Sequence, residues 1–259
     1  MKSDLLSIMW VLLLLASGFS YAESLHTQAG QTKINLYTEH YPPHNMKIDG
    51  HLTGLSVDIL DAMFKQMKFA NHVDDIKLTN WSRAYTLAMK KSNSMVFSTT
   101  RTESREPLFK WVGPIVSTEV GIIAPKSKGI IINKLSDLNQ YKIGAVLKDV
   151  GETLLLDQGV NKKQIFHVDG NDTINLSFTK MLKNRIDLFS YNIGVAFTNA
   201  KSEGFDISQF EVVYILKKAD LYYAFNKDTS DDVIAYWQKA LDEVKEKGIY
   251  DKLLKKYYP

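Results

Sequence analysis

The chain has no cysteine among its 259 residues. That absence excludes disulfides, zinc–cysteine centres, thiol catalysis and a lipid-bearing N-terminal cysteine together. Long runs of one charge are missing too. The 32 Lys and Arg residues are interspersed with 29 Asp and Glu, for a net charge of +3. That balance gives no support to nucleic acid as a partner. Long apolar runs are absent except at the very start. There, Lys2 precedes Leu5 to Ala16 (LLSIMWVLLLLA), and Ser20-Tyr21-Ala22 supplies small residues at a cleavage site. The pattern predicts a secretory signal over residues 1–22, with the mature chain starting at Glu23. The run is shorter than the roughly 20 residues that span a bilayer, so no membrane insertion is expected after cleavage. Export without disulfides leaves stability to apolar burial, and a chain of this length can bury one or two ordinary cores.

The most informative stretch is Ser98 to Pro114, STTRTESREPLFKWVGP. Hydroxyl side chains lead into Arg101 and Arg105, then into an apolar run ending in Gly-Pro. Threonine hydroxyls and free backbone N–H groups can hold one side of a carboxylate while an arginine fork takes its two oxygens. The stretch therefore reads as an anion-binding turn at the end of a strand. A polar surface loop with solvated arginines is the plain alternative.

Periodicity places this turn in a larger pattern. Strands are expected at Ile34–Thr38, Ile76–Leu78 and Ser94–Ser98, with helices at Leu55–Met67 and Ser82–Met89 between them. Tyr41-Pro42-Pro43 must leave regular structure, and Asp49-Gly50 marks a turn. Alternation of this kind implies a parallel sheet with crossover helices, and ligands bind beyond the carboxyl ends of such strands. Three polar-aromatic segments fall there: Thr38 to His44, Asn80-Trp81 and Ser98 to Arg105. The pattern then restarts. Strands are expected at Gly121–Pro125, Lys142–Leu147, Gln164–Val168, Ile186–Ser190 and Val212–Leu216, with helices from Gly151 and Thr173. A further strand at Tyr222–Asn226 precedes helices from Asp231 to Tyr258, broken at Gly248. Segments 115–120 and 217–221 are the expected crossings between two lobes, giving a cleft that opens and closes by hinge motion.

At this point the chain resembles the family 3 periplasmic solute-binding proteins, the receptors of polar-amino-acid ABC importers. The resemblance is carried by Tyr41-Pro42-Pro43, the Gly50-x3-Gly54-x3-Asp58 pattern and Trp81 opening a helix. It continues through TESR at 102–105, Phe109 to Pro114, IGAVL at 143–147, RID at 185–187 and the tail ALDEVKEKGIYDKLLKKY. It implies a two-lobed α/β fold of the type II periplasmic-binding-protein class. Lobe 1 would comprise residues 23–116 with 221–259, and lobe 2 residues 117–220. It also implies a periplasmic receptor that binds a small carboxylate-bearing ligand, works with an inner-membrane ABC permease and is a monomer, with no cofactor and no metal.

The resemblance assigns roles residue by residue. Arg105 matches an arginine that clamps a ligand carboxylate, Thr100 the hydroxyl and N–H donor beside it, and Ser98 a backbone carbonyl acceptor for an amine. Tyr41 and Trp81 match aromatic walls. The second lobe departs from the pattern. Asp149 and Val150 stand where Ser/Thr residues are common, and Asn192 where an amine-binding Asp is expected. Arg83 and Arg101 add positive charge. These departures predict a more anionic ligand, or a carboxylate without an amine.

Other chemistry carries less. His40 and His44 have a helical metal-ligand spacing, but Pro42 and Pro43 between them forbid the helix. Glu39 and His40 could act as acid and base, and some relatives of this fold are dehydratases, yet no second matched catalytic group accompanies them. A binding protein is expected, not an enzyme, and a ligand sensor without a transporter would need the same cleft. Glu152, Asp157 and the Lys-rich tail from Lys245 to Lys256 read as solvated helix faces.

Overall fold

Seven consecutive buried residues, Ser94–Thr100, form strand β5. A strand covered on both faces belongs inside a sheet flanked by helices. In this computed structural model the described residues are 29–168, 170 and 172–258; the predicted signal segment lies outside them. Strand β1 (Asn35–Thr38) pairs in parallel with β5 and with the short β4 (Lys77–Leu78). Helices α1 (Leu55–Gln66) and α2 (Trp81–Lys90) make the crossovers. In the second half, β7 (Ile143–Val146) pairs in parallel with β8 (Ile165–Val168) and β9 (Leu188–Asn192). Helices α3 (Val150–Asp157) and α4 (Thr173–Leu182) lie between these strands, and α5 (Ile193–Ser202) follows β9.

Between the two parallel sets run β6 (Phe109–Pro125) and β10 (Phe210–Asn226), each of 17 residues. They pair antiparallel from Phe109↔Asn226 to Pro125↔Phe210. The first set joins β10 through Leu221–Phe225, and the second joins β6 through Val120–Ile123. The sheet order is β4-β1-β5-β10-β6-β9-β7-β8. This is the two-lobed α/β arrangement of type II periplasmic binding proteins.

The sequence pattern predicted separate strands at 121–125, 212–216 and 222–226, and the structure merges them into this continuous pair. The reason is local. Ser117 pairs with Asp220, Thr118 with Ala219 and Glu119 with Lys218, so the polar crossing residues satisfy one another's backbone. Ser117 Oγ donates to Asp220 Oδ1 at 2.6 Å, and Lys218 meets Glu119 at 2.7 Å. A hairpin of β2 (Met46–Ile48) and β3 (His51–Thr53) was also not anticipated as strands. Its two-residue turn has Asp49 at φ 51° and Gly50 at φ 81°, the positive pair such tight turns require.

The C-terminal helices close the first lobe. α6 (Asp231–Glu246) seats Trp237 against Phe64, Phe69 and Phe225, with ring centroids 4.8–5.6 Å apart. Gly248 turns the chain in the left-handed region into α7 (Ile249–Tyr257). The Tyr257 hydroxyl donates to Asp58 at 2.6 Å and accepts the Gly54 N–H at 3.1 Å. Gly54 itself has no room for a side chain, since a Cβ there would lie 2.3 Å from the His44 carbonyl. The Gly-x3-Gly-x3-Asp pattern is thus a clasp that holds α1, the tail and the Tyr41–Asn45 turn together.

Candidate functional site

The TESR segment opens a 3-10 turn, Glu103–Leu108, in which the Thr102 carbonyl accepts the Arg105 and Glu106 N–H groups at 3.0 Å. The turn folds Arg105 back under the end of β5, where it is 2% exposed. Its Nη1 donates to the Thr100 carbonyl at 3.1 Å, and its Nη2 to the Lys148 carbonyl of the opposite lobe at 2.9 Å. Trp81 and Tyr85 place their rings 5.5 and 5.2 Å from the guanidinium carbon. Nε is buried and has no partner among the described residues. A guanidinium offers five N–H donors, so those not used on the two carbonyls or on the Tyr85 side chain, Nε among them, remain for an anion.

Two carboxylates face this cation. Glu39, just past β1, is 8% exposed. Burial holds its carboxyl well above the usual carboxylate range; nearby Asp149 raises it further and Arg105 opposes both. Asp149, 4% exposed at the start of α3, is also pushed up by burial, against the pull of Arg105 and of the Gly151 and Val150 N–H groups. One guanidinium between two acids leaves the seam short of positive charge whenever both are ionised.

Aromatic rings enclose this charge group. Tyr41 is 3% exposed and meets Tyr191 of β9 edge-on, centroids 5.9 Å apart. Tyr191 in turn stacks on Phe189 at 5.2 Å. Burial drives both tyrosine hydroxyls well above their ordinary range; that of Tyr41 is hydrogen-bonded to Asn192, and that of Tyr191 has no partner among the described residues. Ser98 sits in a bulge: Tyr222 and Tyr223 face Thr99 and Phe97, so Ser98 is left out of the ladder at φ 58°. Its hydroxyl donates to the Asn45 side chain and lies 2.9 Å from Ser56 Oγ. Asn45 Nδ2 donates to the Glu39 carbonyl at 2.7 Å. Tyr41, Trp81, Ser98, Thr100, Arg105, Asp149 and Asn192 thus converge on one seam between the lobes. A cavity of about 370 Å³ opens beside it, lined by Glu39, His40, Leu78–Asn80, Gly170 and Thr173. Arg105 is not in that lining.

Several expectations need correction. Arg83 is exposed, and Arg101 pairs with Glu106 while stacking over Trp111 and Tyr222 at 5.6 and 5.2 Å. The charge of Arg101 is thus answered by Glu106. Asp149 and Asn192 have local work as helix N-caps: Asp149 accepts the Gly151 N–H, and Asn192 accepts the Val195 N–H, both at 3.0 Å. Asn192 Nδ2 also donates to Thr118 of β6. Glu152 is no solvated face residue. It is 7% exposed, accepts the Lys148 N–H at 2.6 Å and pairs with His167. Lys245 likewise leaves the solvated tail to donate to the Pro114 carbonyl at 2.9 Å. Glu39 is the residue that the motif reading passed over as a binding group. A lone acid after a strand carries no periodic signal, and only its burial beside Arg105 singles it out.

Residues 34–259 match the family described as bacterial extracellular solute-binding proteins, family 3. The probable histidine-binding protein of Campylobacter jejuni subsp. jejuni is 24% identical over 223 residues, 84% of this chain and 81% of its own. An ancestral arginine-binding protein bound to arginine has the same fold, with a TM-score of 0.70 at 20% identity, covering 89% of this chain and 100% of that one. A substrate-binding protein of an ABC uptake transporter from Streptococcus pneumoniae, with bound histidine, gives 0.74 at 14% identity over 91% and 95%. No helix among the described residues is long and apolar enough to cross a membrane. The family match spans both halves of the sheet and the seam between them, and the chain belongs to the bacterial extracellular solute-binding proteins, family 3.

Proposed function

We propose that this protein is the periplasmic receptor of an amino-acid ABC importer, and that its ligand carries a cationic group besides its α-carboxylate. The observation that carries the reading is the seam itself: Arg105 has free N–H donors, and Glu39 and Asp149 stand beside it, all three buried. A carboxylate takes the guanidinium, in a pair stronger than an exposed one. An ammonium or guanidinium on the same ligand relieves the two acids. This departs from the expectation of a more anionic ligand: Arg101 is paired with Glu106, and Glu39 offers the acid that is missing at Asn192. The relatives described as histidine-binding, or as bound to arginine or histidine, point the same way.

The named site residues act in this scheme as follows. Thr100 and Lys148 hold Arg105 in place through their carbonyls, Trp81 and Tyr41 wall the ligand, and Ser98 presents a peptide free of the ladder. Asn192 and the Asp149 turn close from the other side. We set the lobe boundary at 116/117 and 220/221, where Val116 pairs with Leu221 and Ser117 with Asp220. The signal segment over residues 1–22 delivers the protein to the periplasm, where it works as a monomer with a membrane permease and without catalysis.

Titration calorimetry with L-arginine, L-lysine, L-histidine, L-glutamine, L-glutamate and succinate tests the reading. Tightest binding is expected among the first three. Succinate or glutamate binding tightest would overturn it.

A further inference from the structure

Five described residues other than glycine have positive φ, and three of them are Asp or Asn, which tolerate the left-handed region. The other two are Ser98 and Lys148, at φ 58° and 63°, and both lie at the seam. Ser98 is placed by its bulge. Lys148 has no ladder to place it, yet it makes two polar contacts across the seam, beside the Tyr41–Asn192 hydrogen bond. Its carbonyl accepts Arg105 Nη2 at 2.9 Å, and its Nζ donates to Thr86 Oγ1 of α2 at 2.9 Å.

What fixes Lys148 is a carboxylate four residues on. Glu152 Oε2 accepts the Lys148 N–H at 2.6 Å, and its other oxygen pairs with His167 of β8. The helix that carries Glu152 is itself seated without slack. A Cβ at Gly151 would lie 2.5 Å from the Ser190 carbonyl, and Ser190 Oγ donates to the Gly151 carbonyl at 3.0 Å. Asp149 caps the same helix end, and its N–H reaches the Val146 carbonyl at 3.0 Å. The rigid frame β8–α3–β9 therefore ends in one acceptor aimed at one strained peptide.

We propose that Glu152 is a positioning residue for closure: it holds the Lys148 peptide left-handed, so that the Lys148 carbonyl meets Arg105 as the lobes come together. Glu152 touches no ligand in this role. The proposal rests on the receptor reading only in treating closure as the step that retains ligand. Strain at a functional turn is kept when its surroundings over-determine it, and here the Glu152–His167 pair does so. Glycine at 148 would adopt the same conformation without help.

The absence of cysteine allows a clean test. Spin labels on Arg83→Cys of α2 and Asp157→Cys of α3, both exposed, report lobe separation by pulsed EPR, first without added amino acid and then with saturating L-arginine. Without ligand, Glu152→Ala is expected to lower the closed-to-open ratio about tenfold, as loss of a charge-assisted hydrogen bond predicts. Glu152→Gln, which keeps one oxygen, should lower it less. In a Lys148→Gly background, Glu152→Ala should change the ratio less than about twofold, because glycine needs no support. Thr86→Val measures what Lys148→Gly loses through its Nζ. An equal effect of Glu152→Ala in both backgrounds, or no effect in either, overturns the proposal. If Glu152→Ala does not fold, Glu152→Gln is compared across the same two backgrounds by the same criterion. A wild-type protein that L-arginine does not close would count against the cationic-ligand reading alone, since the ligand-free comparison still reads Glu152.

Discussion

The two walls of the seam use polar residues in opposite ways. On the first-lobe wall, polar side chains are spent holding backbone or one another at the site: Arg105 on the Thr100 carbonyl, Asn45 on the Glu39 carbonyl, Ser98 on Asn45. Glu39 and the Arg105 Nε stay uncommitted. On the second-lobe wall, Asp149 and Asn192 are occupied as N-caps of α3 and α5. The lesson is that a residue's type at a motif position does not reveal its task. The charge that looks missing at Asn192 is present across the seam at Glu39, and the charge that looks added at Asp149 is partly used by a helix end.

Arg105→Ala should separate the walls most strongly. It removes the anion partner and strands two acids, and breaking a buried pair costs about 3–5 kcal/mol, so affinity for the best amino acid should fall at least about a hundredfold. Calorimetry reads the loss, and an unchanged affinity would remove the first wall from the binding scheme.

His44 tests the turn behind that wall. Burial lowers its pKa to about 4, so the fold keeps the imidazole neutral while the unfolded chain takes a proton near pH 6.5. Stability tied to His44 is therefore complete above pH 6.5 and is lost as pH falls towards 4, by at most about 1.4 kcal/mol per pH unit. Melting temperatures of His44→Gln should be flatter across that window than those of wild type. Parallel curves would show that the imidazole is not what titrates.

Glu39→Gln and Asp149→Asn sharpen the contrast directly. Glu39→Gln should weaken binding of cationic amino acids about tenfold, since it takes away an uncommitted counter-charge. It should also raise the melting temperature at neutral pH. The folded carboxyl, raised above its ordinary value near 4.5, favours the fold fully only below that value and loses this contribution as pH rises. The gain over wild type should thus shrink on acidification. Asp149→Asn keeps an N-cap of equal quality, and its stability effect should stay within about 0.5 kcal/mol, with the smaller affinity loss of the pair. A larger affinity loss for Asp149→Asn than for Glu39→Gln would reverse the assignment of the two walls.

Much of the fold was legible because its signals are local. Val57, Leu60, Phe64 and Met67 recur at helical spacing and mark α1, and the apolar run Met95–Phe97 between two serines marks a buried strand. Gly248 signalled the break between α6 and α7 and sits there in the left-handed region. The continuity of β6 and β10 was not legible. Ser117 and Glu119 look like loop residues until Asp220 and Lys218 are known to lie opposite, and that pairing spans about a hundred residues of sequence. At the site, the neighbourhood of Arg105 and Trp81 was readable from motif order, while Tyr85 on the other side of the guanidinium was not. The cap tasks of Asp149 and Asn192 were not read: the family pattern marks both only as ligand-facing departures, and no helix was expected after Asn192. Glu39 and Glu152 were not readable, because their roles depend on burial and on partners from other elements.

The paired β6 and β10 have a mechanical consequence. A ladder of this length extends roughly 55 Å, and each lobe is fastened to a different stretch of it. Such a ribbon resists stretching and sliding, because either would break many rungs at once, but it yields to torsion. It therefore behaves as a torsion bar with the lobes as lever arms. By simple lever geometry, a twist of about 5° at mid-length moves an atom 25 Å away by roughly 2 Å, enough to make or break every contact that Lys148 forms across the seam.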